Sequence, residues 1–192
     1  FLSVKYLKAK LFRRVYIIFC IILGILAPVY CWYLRPGFNP MKKPLSDFGI
    51  QEPTWLLWNS TLVFLAVGIF LNAYTTLRFY FKKRRYRYPL KVLLIVSSIS
   101  LFFTATIPMD YELFHKIPAF LFFFTYNLFV FSFGLFRSFK HIRAGVLSIF
   151  IGLTMTFSLL LPFKSYGVFE IVYFALILLW NIYFLFKRIK EE

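Results

Sequence analysis

Three side chains able to do chemistry crowd the stretch ATIPMDYELFHKIPAF, namely Asp110, Glu112 and His115. A carboxylate and an imidazole five positions apart can meet across a tight turn. The carboxylate would then fix the ring tautomer of a general base, or the two would hold a divalent metal. A metal bound by Asp110 and His115 needs a third ligand, from Glu112, Asp47 or Glu170. The plainer alternative is that these groups cap helices and meet water, since an Asp and a His at this spacing are common by chance.

Glu170 follows Gly167 and is expected in the first turn of the last helix, where the helix dipole favours a carboxylate. An acid just inside an apolar segment also tends to face a cavity or a partner. Upstream lies RPGFNPMKKPLSDFGIQEPTWLLWNS, a loop that Pro36, Pro40, Pro44 and Pro53 should hold in a defined shape. Ser46 or Asp47 could cap a short turn there, and Trp55 and Trp58 fit an interfacial aromatic belt. Asn59 needs a partner across the helices or a polar pocket, because an unpaired buried amide is costly. Asp47, Asn59, Trp58 and Glu170 thus form the expected ligand-binding set, with Asp110 and His115 the catalytic pair if the protein is an enzyme.

These residues need elements to position them, and composition says which. The 192-residue chain is 61% hydrophobic with a mean hydropathy of +0.75, more apolar surface than a soluble globule of this size can cover. Its apolar runs match the hydrocarbon thickness of a bilayer. The expected architecture is therefore all-α, a polytopic membrane bundle forming one domain over residues 1–192. Six spans are expected, at 15–34, 54–78, 90–107, 117–136, 145–163 and 168–186. The fifth carries the weakest signal, being rich in Ser, Thr and Gly, though its hydropathy still favours a span. The first has full length and no small-residue cleavage site, so it reads as a span rather than a leader. Cys20 and Cys31, roughly 16 Å apart along one helix, cannot form a disulfide.

The net charge of +16 does not signal nucleic acid, because the basic residues sit in short blocks between apolar runs. Eighteen of the twenty-three flank one set of helix ends: Lys5 to Arg14, Arg78 to Lys91, Arg137 to Arg143, and Lys187 to Lys190. Arg35, Lys42, Lys43, Lys116 and Lys164 fall on the other side. By the positive-inside rule both termini face the cytoplasm of a multi-pass cell-membrane protein. Anionic headgroups are the expected partners of Lys82, Lys83, Arg84 and Arg85, with a membrane-protein partner also open. Of the seven acids, Asp47, Glu52, Asp110, Glu112 and Glu170 all gather at the outer end, as does His115, whereas His141 lies in a basic loop at the opposite end.

No nucleophile announces itself. Ser46, Ser60 and Ser165 lie near the outer face, but none sits in a G-x-S-x-G elbow. Asn72, Asn127, Thr154, Thr156 and Asn181 are expected to join helices. Acid–base pairs through the membrane centre are absent, which argues against proton-coupled transport.

PLSDFG at 44–49 with WLLWNS at 55–60, and IPMDYELFH at 107–115, resemble the two signatures of the domain-of-unknown-function 998 family. The resemblance spans nearly the whole chain. It implies a compact bacterial or archaeal multi-span protein and marks Asp47, Asn59, Asp110 and His115, without naming a substrate. The composition, heavy in Lys and Phe, departs from the Ala- and Gly-richer look of many members. The expected function is a membrane subunit or lipid- or small-ligand-binding scaffold with an outward-facing polar pocket. A metal-dependent hydrolase or transferase acting on a lipid-like substrate is the alternative, and a small-solute transporter the third. No cofactor is required, though a divalent metal fits the alternative.

Overall fold

Hydropathy ends where charge begins, but backbone hydrogen bonding does not, so the helices run past the apolar windows at most of their ends. The computed structural model describes residues 2–161 and 165–191, with side chains from 11, 12, 15–161 and 165–187. Lys5, Lys8, Lys10, Arg13, Arg14, Arg188, Lys190, Glu191 and Glu192 lie outside the described side chains, and Lys164 and the expected span end at Phe163 lie outside the described residues.

Among the described residues there are six long helices: α1 (Leu2–Leu34), α2 (Trp55–Tyr80), α3 (Arg84–Thr106), α4 (Glu112–Ser138), α5 (Ile142–Leu160) and α6 (Tyr166–Glu191). All six are long and apolar enough to cross a membrane. Helix α3 starts six residues before its expected span, with the basic segment wound into its first turns. Helix α4 starts at Glu112, whose charge suits a helix N-terminus and which pairs with Lys116 one turn on. Helix α5 stops at Leu160, and Leu161 is extended (ψ 135°), as a residue preceding proline prefers to be.

Successive helices α2, α3, α4 and α5 pack as antiparallel neighbours, while α1 leans on α2 and touches α6. The composition of α5 finds its reason here. An added Cβ at Gly145 would lie 2.4 Å from Ser138 Cα, and one at Gly152 3.0 Å from Phe131 Cα, so these glycines let the α4 and α5 backbones approach closely. Ser148 Oγ donates to Val130 O (2.8 Å) and accepts from Trp180 Nε1 (2.8 Å). Asn127 bonds Thr156 (2.9 Å) and Asn181 bonds the Tyr126 hydroxyl (2.8 Å), joining α4 to α5 and to α6. Asn72 and Thr154, by contrast, bond within their own helices.

Near the basic end an aromatic cluster fills the core. Phe133 meets Tyr80, Trp180 and Phe184 edge-on, at centroid distances of 5.4, 5.3 and 4.8 Å. Arg137 is buried there, its guanidinium 5.0 Å from the Tyr80 ring centroid. Facing outward, Ile18, Ile22, Ile25, Leu26 and Val29 leave a continuous apolar flank on α1, a surface suited to lipid chains and not to water.

The connection from α1 to α2 is a packed lid at the other end. It contains a 3-10 turn, Leu45–Gly49, and buries Phe38, Leu45 and Phe48. Phe38 stacks near Phe48 (4.2 Å), and Phe48 meets Trp58 at the head of α2 (5.6 Å). Gly167 is required where α6 passes beneath: an added Cβ would lie 2.5 Å from Pro40 O and 2.2 Å from Lys43 O.

Candidate functional site

The lid is held by polar side chains that the sequence offers as candidate ligands. Arg35, at the end of α1, donates from Nη1 to Asp47 O (2.9 Å) and from Nη2 to Asp47 Oδ2 and Gln51 Oε1 (both 2.9 Å). Lys43 Nζ adds a second cation 3.5 Å from Asp47 Oδ2. Asn59 Nδ2 donates to Gly49 O (3.0 Å), and Thr54 Oγ1 donates to Phe48 O (2.8 Å). Asp47 and Asn59 therefore fix the lid's shape. Charge-assisted bonds of the Arg35 kind are the strong ones, and fork-shaped guanidinium suits them.

Glu170 is not in the first turn of its helix, because α6 begins at Tyr166. Its carboxylate reaches across to the lid and accepts the Leu45 backbone N–H. Neither Ser46 nor Asp47 caps the 3-10 turn, whose N-cap position is Pro44 with no side-chain cap. The cap comes from α6 instead. Ser165 reinforces the clamp, donating to Pro40 O and accepting from Gly167 N (3.1 Å).

Beneath the lid lies a small cleft of about 30 Å³, lined by Ser46, Trp58, Thr104, His115 and Glu170 over a floor of Leu101, Phe122 and Phe174. That volume admits one water-sized group. Three of the candidates, Trp58, His115 and Glu170, converge here from α2, α4 and α6. His115 is buried, and its Nδ1 lies 2.8 Å from Ile107 O. A carbonyl only accepts, so Nδ1 carries the hydrogen, and in the neutral ring Nε2 keeps its lone pair. Trp58 is 3% exposed, and its indole N–H has no acceptor among the described residues. Leaving such a donor unmet costs about 1–3 kcal/mol.

Asp110 and Glu112 do not join the cleft. Both are exposed at the turn before and the start of α4; Glu112 pairs with Lys116, and no bond or ion pair joins Asp110 to His115. Among the described residues no three His, Cys, Asp or Glu side chains come together as a metal-holding group. The helical turn separates them: Asp110 and Glu112 precede or open the helix on its wet side, while His115 faces the bundle. Cys20 and Cys31 are free thiols on α1.

Arg35, Met109 and Thr104 were not singled out as site residues by the sequence, and Ser46 only as a turn cap or a lone outer-face hydroxyl. Ser46 Oγ donates to Met109 Sδ (3.4 Å), tying the lid to the turn before α4. Arg35 carried no local signal, because its partner lies twelve residues away across an irregular loop.

Six apolar helices, a lid and a cleft with convergent polar groups define a polytopic helical membrane protein. More particularly, the chain belongs to the family described as protein of unknown function (DUF998), whose sequence model matches residues 18–187. No curated protein and no solved structure matches the chain.

Proposed function

We propose that the chain is a membrane-embedded binding scaffold whose cleft beneath the lid takes the small polar head of an amphiphile. The unmet Trp58 N–H carries this reading: a buried donor on a residue that lines the cleft is a standing request for an acceptor. His115, through its Nε2 lone pair, and the Glu170 carboxyl line the same cleft and can accept. A hydroxyl answers both sides, and an ammonium answers Glu170. A carboxylate or phosphate head would set further acceptor oxygens against the Glu170 carboxyl instead.

The apolar tail has a route. The residues Leu101, Phe122 and Phe174 that floor the cleft also line a neighbouring cavity of about 70 Å³, which extends between α1, α2 and α6 past Gly24 and Gly68. The concentration of Lys and Arg at the opposite end supports a cytoplasmic location for both termini, with the cleft on the outer face.

The test compares 1-dodecanol, dodecylamine and dodecanoate by their effect on thermal unfolding of the detergent-solubilised protein. The alcohol and amine should stabilise it and the carboxylate should not. Trp58→Phe, which keeps an aromatic ring and removes the donor, should weaken dodecanol about tenfold, the worth of one hydrogen bond. Equal binding of dodecanoate, or no change in Trp58→Phe, refutes the reading.

A hydrolase or transferase acting on a lipid-like substrate is the second reading, and His115 supports it. An imidazole with its tautomer set by a backbone carbonyl and a free lone pair is configured as a general base, and it shares the cleft with the Ser46 hydroxyl. This reading requires turnover of a long-chain ester that His115→Gln abolishes while thermal unfolding of the unliganded protein is unchanged. Turnover unaffected by His115→Gln removes it.

A further inference from the structure

The basic segment between α2 and α3 is sorted by the fold into two unlike groups. Arg84, Arg87 and Lys91 recur at i, i+3 and i+7, one face of α3, and Arg78 and Tyr74 lie one turn apart on α2. The two faces meet around one cleft of about 150 Å³, lined by Tyr74, Arg78, Arg84, Arg87, Tyr88 and Lys91. Lys82 and Lys83 stay outside it, exposed in the connection, and Arg85 turns onto Tyr86, its Nη2 donating to the phenol oxygen at 2.7 Å. Lys91 Nζ stands 3.8 Å from the centroid of Tyr74, so the ammonium is held at the cleft wall by the ring face.

Four cations around one cleft repel one another, and the Tyr74 ring face offsets only Lys91. Among the described residues no carboxylate pairs with Arg78, Arg84, Arg87 or Lys91. The first turn of α3 carries no acid, and its N-cap, Lys83, provides no side-chain acceptor. The positive end of the helix dipole adds to the same field. A topology signal needs only basic residues near the membrane edge. It does not need four of them converging from two helices, with aromatic rings between.

We infer that this cleft binds the phosphate of an anionic membrane lipid. Guanidinium groups from Arg78, Arg84 and Arg87 can take phosphate oxygens in forked pairs, and Lys91 supplies a point charge. At about 150 Å³ the cleft far exceeds the roughly 10–15 Å³ that a single water needs, which leaves room for a phosphate with its ester oxygens. The lipid, rather than a soluble phosphate, follows from position: Tyr74 and Tyr88 are amphipathic rings at the end of the apolar spans, where headgroups lie. A terminal phosphate monoester, carrying more charge than a diester, should bind best. The site is independent of the cleft under the lid.

The test is native mass spectrometry of the protein carried in detergent with phosphatidic acid, phosphatidylglycerol or phosphatidylcholine added, and with inorganic phosphate as the soluble arm. Wild type should retain phosphatidic acid at least tenfold better than phosphatidylcholine, with phosphatidylglycerol between. Arg78→Gln/Arg87→Gln should lose that preference, while Lys82→Gln/Lys83→Gln, which removes the same charge, should keep it. Arg87→Lys should restore part of it, charge without the fork. Equal losses in the two double variants would reduce the cleft to diffuse electrostatics and overturn the proposal. Retention of inorganic phosphate with no preference for phosphatidic acid would overturn the lipid assignment.

Discussion

Glu170 offers the sharpest test of how the lid is held. In Glu170→Ala the Leu45 N–H loses its acceptor in a residue only 4% exposed, with Pro44 before it extended and unable to shield it. A buried donor left unmet costs about 1–3 kcal/mol. That cost falls on lid closure more than on the bundle, because α2 through α5 pack without the lid. Since each 1.4 kcal/mol is a factor of ten, amide exchange across Leu45–Gly49 should accelerate by about 5- to 150-fold. Exchange within α4 should change little. Glu170→Gln keeps an oxygen at the same reach, so its exchange should rise by less than about fivefold. The assay is hydrogen–deuterium exchange with peptide-level mass spectrometry on detergent-solubilised protein. Unchanged exchange at Leu45–Gly49 in Glu170→Ala refutes the clamp, and Gln behaving like Ala shows that charge, not the cap, holds the lid.

Three further outcomes follow from the same geometry. A double-mutant cycle of Arg35→Ala and Asp47→Ala, read by thermal unfolding, should give a coupling of about 1–3 kcal/mol, since both side chains are largely buried and the pair also binds Gln51; additive effects would show the pair to be inert. Gly145→Ala should destabilise the bundle by about 1–3 kcal/mol or more through overpacking against the Ser138 backbone, whereas Gly37→Ala, with open space around it, should be silent by the same circular-dichroism melt. Asp110→Asn and Glu112→Gln should each shift stability by under about 0.5 kcal/mol, as exposed positions do, and should leave dodecanol binding unchanged. Loss of binding in either would bring those acids back to the cleft.

The two segments that resemble family signatures turn out to be the two halves of one structural joint. PLSDFG forms the lid's 3-10 turn, WLLWNS opens α2 beneath it, and IPMDYELFH leads into α4, with Ser46 touching Met109 across the gap. Within the second signature the residues part company. His115 turns inward because it lies one helical turn inside α4 and its ring finds the Ile107 carbonyl. Asp110, before the helix, stays exposed.

The helical class, the number of apolar segments and the gathering of acids toward one end were legible in the residues alone, because hydropathy and charge are properties of local composition. The sequence also marked Trp58, His115 and Glu170. Tertiary structure alone decided what each marked residue does. Glu170 caps a turn 125 residues away, Arg35 grips Asp47 through an irregular loop, and the glycines that made the fifth span look weak are where two backbones meet. Such pairings depend on where the helices dock, which no window of sequence contains. The same is true of the basic segment, where spacing supplied the charges and the docking of α2 against α3 made four of them into one cleft.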